Sequence, residues 1–377
     1  MFEACIYLDN NSTTQMDKRV LKAMLPYLQD AYANSSSSHS FGKNIRDRIQ
    51  VARQQVASLI NANESEIIFT SGATESVNLA LKGISYAAGS RVHIITIKTE
   101  HKSVLDTCKY LETIGIRVTY LPVQGDGTID LLQLERSITV DTVAICAMLV
   151  NNETGVLANI VAIGKIAKEK NVYLICDATQ AVGKIPVNVQ AAGIDLLALS
   201  AHKFYGPKGV GALYINKSTI NEADFVTVQH GGGHENGFRS GTLNSAGIIG
   251  LGEACSLASE ELAVNEFKIG RLKKYAELLL QKIPGYTIHG NPKKTLFNTL
   301  NFHLPNFDAN VFIALNQNLA VSNGSACTAS TLEASYVLDA MGINSADSYC
   351  SLRVSIGKWN SKGDIDALLE MINSYPR

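Results

Sequence analysis

Charge of either sign is scarce and balanced in this chain: 33 lysines and arginines face 34 aspartates and glutamates, 18% of 377 residues, for a formal net charge of −1. So balanced a surface builds no field for a polyanion, and direct nucleic-acid binding is not expected. Long apolar runs are also lacking. None approaches the ~18 residues of a membrane-spanning helix, so no membrane partner is expected. The opening "MFEACIYLDNN" lacks a basic stretch followed by an apolar one, which argues against a secretory leader. Seven cysteines are present but no C-x-x-C pair, which disfavours a zinc site or a disulfide framework. A reducing, cytoplasmic setting is expected instead. No internal repeat is visible, and low complexity is confined to Ser35–Ser38.

What is present is apolar material, 46% of the residues, enough for a large core in a length that suggests two domains. Seven short runs read as strands: "EIIFT" (66–70), "RVHIIT" (91–96), "RVTYLPV" (117–123), "TVAICAMLV" (142–150), "VYLICD" (172–177), "LLALSA" (196–201) and "GALYI" (211–215). Several are continuously apolar, as strands covered by helices on both faces are. Helical patterns at 74–88, 102–114, 130–136 and 159–170 lie between them, and this βαβ rhythm predicts a mostly parallel sheet. Cys146 and Cys176 fall inside strands and read as core. After about residue 262 the rhythm changes: a helical pattern over 266–283 leads into "TLNFHL", "VFIALNQ", "CSLRVSIG" and a closing helix near 364–374. That is the pattern of a smaller α+β domain.

Four stretches have residues suited to chemistry. In "FTSGATESVNLALKG" (69–83) a strand gives way to a helix near Thr74; the turn is either an ordinary helix start capped by Thr74 or a phosphate site at free backbone N–H groups. In "ICDATQAVGK" (175–184) Asp177 ends a strand, where it either caps the next helix or faces a cationic ring nitrogen. "LSAHKFYGPKGVGALYI" (199–215) sets Ser200, His202 and Lys203 in a row at another strand end, and a lysine there is a candidate amine nucleophile. "VSNGSACTAS" (321–330) surrounds Cys327 with glycine and small polar residues. That is either an ordinary loop cysteine or an accessible, reactive thiol. Phosphate cradle, aspartate and lysine in that order suit a pyridoxal phosphate held by its phosphate, ring nitrogen and aldehyde carbon.

With "YLDNNSTT", "SGATES", "TEHKSV", "VNNETGV", "DATQAVGK", "SAHKFYGPKGVG", "HGGGHENGFRSGT", "SNGSACTAS" and "SLRVSIG" in order along nearly the whole chain, the sequence resembles cysteine desulfurases of the NifS/IscS group. These are fold-type I, class V aminotransferase-like enzymes that use pyridoxal phosphate. The resemblance implies an α/β fold with a large, mostly parallel seven-stranded sheet over 14–261, and a smaller α+β domain from 1–13 and 262–377 that carries the cysteine loop. It implies that Lys203 links the cofactor and Asp177 partners its ring nitrogen. Gln180 would bond the ring hydroxyl and His101 stack on the ring, although a helix-start role for His101 is the alternative. Thr74, Ser200 and His202 would hold the phosphate, with Thr242 reaching it from the other subunit of a homodimer. Arg353 and Asn152 would bind the carboxylate of L-cysteine. Cys327 would take the sulfur as a persulfide and pass it to a sulfur-acceptor protein, for iron–sulfur cluster assembly, tRNA thiolation or DNA phosphorothioation.

The chain departs from the family pattern in three places. Serine stands where a proline is usual before the histidine of "SSSSHSFG", "TTQ" replaces "TTP" at Thr13–Gln15, and only "MINSYPR" closes the chain where longer members carry a scaffold-docking tail. The first two bear on loop shape, and the third leaves the acceptor open. His230 and His234 of "HGGGHE" have metal-ligand spacing, but glycines and not a helix separate them, so no metal site is expected.

Overall fold

The seven runs read as strands join in one sheet, each within about three residues of its expected limits. In the computed structural model, which describes residues 5–89, 92–324 and 334–376, the chain opens with β1 (Ile6–Tyr7), α1 (Lys18–Gln29) and α2 (Ser40–Ile60). The sheet and its crossovers follow as β2 (Ile67–Thr70), α3 (Ala73–Ala87), β3 (His93–Ile97), α4 (Lys102–Thr113), β4 (Arg117–Leu121), α5 (Leu131–Ser137), β5 (Thr142–Met148), α6 (Ile160–Glu169), β6 (Tyr173–Asp177), β7 (Leu196–Ser200) and β8 (Gly211–Ile215). Their order across the sheet is β2-β8-β7-β6-β5-β3-β4. Strand β8 runs antiparallel to β2 and β7, and the other pairings are parallel.

The continuous apolarity of the strands has a direct cause: each feeds two cores at once. Ile67, Phe69, Ile95, Ile145, Leu174 and Leu197 face one core, with α2 and α7 above them. Their chain neighbours Ile68, Ile94, Cys146, Ile175 and Leu196 face the other, beneath α3 and α4. Cys146 and Cys176 are fully buried on opposite faces, and burial holds both thiols well above the usual thiol range.

After β8 come α7 (Ser245–Leu280), β9 (Thr287–Ile288), β10 (Thr299–His303), α8 (Ala309–Leu315), β11 (Leu319–Ala320), α9 (Tyr336–Ala340), α10 (Ser345–Tyr349), β12 (Ser351–Ser355) and α11 (Lys362–Ser374). Strands β12-β10-β9 form a small antiparallel sheet, and β1 pairs with β11. A third core gathers here, in which Leu8 from the start of the chain packs with Ile269, Phe302, Val354 and Leu368. Helix α7 begins about twenty residues before the amphipathic pattern does. Its first half has only a weak polar stripe: Ile248, Leu251, Ala254 and Leu257 are buried on the sheet side, Gly250 and Gly252 lie against Met24 and Ala52 of α1 and α2, and the half-buried face mixes Ile249 with Glu253 and Ser256. A narrow outer face of mixed character shows little amphipathic period. The same helix runs unbroken past residues 261 and 262 and delivers Ile269, Ala276 and Leu280 to the third core. Among the described residues no helix is long and apolar enough to cross a membrane.

Gly164 shows how tightly α6 sits on its neighbour. A Cβ there would collide with the carbonyl oxygen of Ala192. In an exposed helix Gly→Ala stabilises by roughly 0.5–1 kcal/mol; here overpacking reverses the sign. Gly164→Ala is expected to cost about 1–3 kcal/mol, read as a lower urea midpoint at unchanged slope. A midpoint at or above that of the wild type would show that the helix is not pinned there.

Candidate active site

The ends of β2, β3, β5, β6 and β7 converge at the C-terminal edge of the sheet, where open α/β sheets receive ligands. A cavity of about 570 Å³ opens there. Of the residues singled out in the sequence, Thr74, His101, Asn152, Asp177, Gln180, Ser200, His202, Lys203 and Arg353 all line it. Thr242 does not; it stands exposed elsewhere on the surface. Cys327 lies outside the described residues.

The turn after β2 is built for close approach. Gly72 has φ 149° and takes the cap position of α3 with no side-chain cap bond. Thr74 is therefore the second helical residue and not the cap. A Cβ on Gly211 would come within 2.7 Å of the Gly72 Cα, so both positions need glycine. The first-turn N–H groups of α3, with the Thr74 and Ser200 hydroxyls on the same cavity, could hold a phosphate. Behind them Glu75 accepts from Ser71 N at 2.7 Å and pairs with Arg239 at 2.7 Å, which ties the "HGGGHENGFRSGT" loop to this helix end.

Asp177 closes β6, nearly buried, and one carboxylate oxygen accepts from Thr179 N at 2.9 Å. It caps a turn over 179–184 and not the helix expected there, it uses one oxygen only, and the nearby Thr179 hydroxyl is buried without a hydrogen-bond partner. Glu100 lies deeper. Burial pushes its carboxyl well up against the pull of the Met148 N–H bond, and the charge of Asp177 pushes it further. His101 caps α4, its Nδ1 accepting from Ser103 N at 3.1 Å, and it lines the cavity.

Lys203 follows β7 in a short turn, and its Nζ donates to the carbonyls of Asn11 and Ser12, both at 2.7 Å. Gln180 Nε2 donates to the same Asn11 carbonyl at 2.8 Å. Next to Lys203, His202 is held well below the usual imidazole range, at about 4, by burial first and then by Lys203, Lys208 and Lys184. Arg353, on β12, is 2% exposed. Its guanidinium donates to Asp9 at 2.7 Å, to the Ser12 hydroxyl at 2.8 Å and to the Asn152 carbonyl at 3.0 Å. Its Nε and the Asn152 side-chain oxygen remain buried without partners.

These features fit the cofactor that the resemblance implies. A cavity of suitable size, a glycine cradle at a helix start, a carboxylate at one strand end and a lysine at the next together match phosphate, ring nitrogen and aldehyde. Sequence reasoning gave no role to Asn11, Ser12, Thr179, Lys184 or Glu153. Only the quoted "YLDNNSTT", "VNNETGV" and "DATQAVGK" hinted at them, and backbone carbonyls leave no residue-type signal.

The aminotransferase class-V family matches residues 6–368. The cysteine desulfurase IscS of Neisseria gonorrhoeae (strain ATCC 700825 / FA 1090) is 46% identical over 371 residues, covering 98% of this chain and 91% of its own. A cysteine desulfurase of Rattus norvegicus is 45% identical over 367 residues, covering 96% of this chain and 80% of its own. Among solved structures, a NifS-like protein superposes with a TM-score of 0.91 at 36% identity, covering 98% of both chains.

His202 yields a test in the cofactor-free protein. Its folded pKa of about 4 lies below the ordinary 6.5, so the unfolded chain takes up the proton first as pH falls. The stability linked to this group is present above pH 6.5 and is lost on the way down to about 4. The melting temperature is expected to fall across that window, and less steeply in His202→Gln. Equal slopes for the two proteins would mean the imidazole is not shielded as described.

Proposed function

The chain belongs to the aminotransferase class-V family, and on that premise we infer that it is a pyridoxal-phosphate-dependent cysteine desulfurase, which converts L-cysteine to L-alanine and passes the sulfur to an acceptor protein. One observation carries the reading: Lys203, Asp177 and Arg353, far apart in sequence, line a single cavity. The bound cofactor supplies an electron-accepting ring that eases loss of the Cα proton and departure of the sulfur.

The chain's own residues have these roles. Lys203 would link the cofactor, and its free amine would move a proton at the substrate Cα. Asp177 holds the proton on the ring nitrogen, Gln180 donates to the ring hydroxyl and His101 covers the ring face. Thr74, Ser200 and His202 hold the phosphate, joined by Thr242 of a second copy of this chain. Arg353 binds the substrate carboxylate with Asn152; the unpartnered Nε of Arg353 supports this, since a buried donor without a partner is costly until a ligand fills it. Cys327 thiolate takes the sulfur: the substrate C–S bond breaks, an S–S bond forms, Cβ is reduced by the electrons the sulfur gives up, and no outside reductant enters. The persulfide then goes to an acceptor protein in iron–sulfur cluster assembly, tRNA thiolation or DNA phosphorothioation.

A homodimer follows from the role given to Thr242. An exposed apolar stripe on α1 supports it: Leu21, Leu25 and Leu28 at helical spacing, with Tyr32 against Phe41 nearby. Residues 14–261 form the cofactor domain in this reading, and 1–13 with 262–377 the smaller one; the packing of Leu8 in the third core supports that grouping. The unpaired cysteines, four of them buried, suit a cytoplasmic setting, with neither membrane nor nucleic acid as direct partner.

Lys203→Ala is expected to lose the yellow colour and the borohydride-reducible adduct; an adduct on another lysine would reassign the linkage. Cys327→Ser should keep the colour yet release almost no alanine from cysteine, while Cys350→Ser stays near wild type. Normal alanine from the first, or none from the second, would mean the wrong thiol is named. Arg353→Lys keeps the charge but loses the fork, so KM for cysteine should rise at least about tenfold, ~1.4 kcal/mol, at unchanged cofactor content. An unchanged KM would take Arg353 out of the substrate site.

A further inference from the structure

Lys184 is a buried amine that none of these roles uses. It sits one helical turn past Gln180, 8% exposed, and its Nζ donates to Gln180 Oε1 at 2.6 Å. Its acceptor is a neutral amide, whereas a buried lysine is ordinarily compensated by a carboxylate. The charged groups that face it, Lys203 from the turn after β7 and Arg353 from β12, are both cations. Together with burial, the larger cause, they hold its pKa down at about 7. So costly a placement calls for a function.

An amide side chain has one acceptor oxygen and two N–H donors. The bond from Lys184 fixes which end of Gln180 is which. The oxygen faces Lys184, and the nitrogen faces the Asn11 carbonyl at 2.8 Å. That carbonyl also accepts from Lys203 at 2.7 Å. One N–H of Gln180, a residue that lines the cavity, is thereby left for a ligand oxygen. We propose that Lys184 is a positioning residue: by holding the Gln180 oxygen, it keeps the amide N–H turned to the ring hydroxyl of the cofactor and so tunes how tightly the nitrogen joining Lys203 to the cofactor holds its proton. The proposal rests on the cofactor reading above.

The sign follows from simple competition. A donor to the ring oxygen stabilises its negative charge and weakens its hold on the neighbouring N–H. Without Lys184 the amide is free to turn its oxygen inward, the donor is lost, and the proton is held more tightly.

The test is the visible absorption of the holoenzyme followed across pH. Lys184→Met, which keeps the length of the stem, should remain yellow and shift the midpoint of the colour change upward by about one pH unit, tenfold in proton affinity. Gln180→Met should shift it upward as well, and adding Lys184→Met to Gln180→Met should move it no further. Lys184→Leu is carried in parallel and read by the same criterion, should the Met variant fail to fold. A yellow Lys184 variant with the wild-type midpoint overturns the inference alone, as does a shift that persists undiminished without Gln180. Wild-type protein with no visible band overturns the cofactor reading and the inference with it.

Discussion

A guanidinium taken almost wholly out of water must find its partners inside the protein, and Arg353 draws three of them from two distant stretches. Asp9 provides charge, Ser12 a hydroxyl and Asn152 a carbonyl. Meeting those bonds lays residues 9–12 across the ends of the large sheet's strands, where Asn11 also bonds Ser355 and Thr299. The Asn11 and Ser12 carbonyls are then where Lys203 finds them. The lysine's position is thus set by an arginine 150 residues further along the chain, through an intervening polar turn.

The cavity is polarised in a consistent way. Burial first, and then Lys203, Lys208 and Lys184, hold His202 in its neutral form, and Arg353 adds a further cation. Glu100 and Glu153, the buried acids of the neighbourhood, are pushed upward, chiefly by burial. Positive charge close to the helix start, with acids behind it whose charged form burial disfavours, gives an interior suited to an anionic ligand. Glu153 takes a second part: it accepts from Ser335 and abuts Gly324, so one buried carboxyl touches both flanks of the stretch that contains Cys327.

Much of this was legible in the sequence because the local signal and the tertiary cause coincide. Runs such as "TVAICAMLV" are apolar throughout because both faces of β5 are covered, so the strand and its burial are read together. The placement of Asp177 and Lys203 at neighbouring strand ends on one cavity was legible because strand ends are recognisable. The start of α7 was not, since a narrow outer face that mixes Ile249 with Glu253 and Ser256 leaves little amphipathic stripe to count. Thr74 as cap was misread because the cap fell to Gly72, two residues earlier, where backbone geometry and not a side chain decides. Lys184 reads as an ordinary surface lysine in "AVGK"; only the fold, which brings Lys203 and Arg353 to face it, makes it a buried amine. The part played by Asn11 is performed by a carbonyl that every residue type possesses.

The crossing of residues 6–12 over the C-terminal strands has a consequence for how the protein is made. Tyr7, Asp9 and Asn10 take partners at Asn360, Arg353 and Ser355, separations of up to 353 residues. At about 5–20 residues per second a ribosome would need on the order of tens of seconds to span that distance. Through that interval the first strand waits without its permanent neighbours while the large sheet assembles from local βαβ units. The cradle of the lysine is therefore closed only after the stretch from Arg353 to Asn360 has emerged, long after the strands of the large sheet have been made.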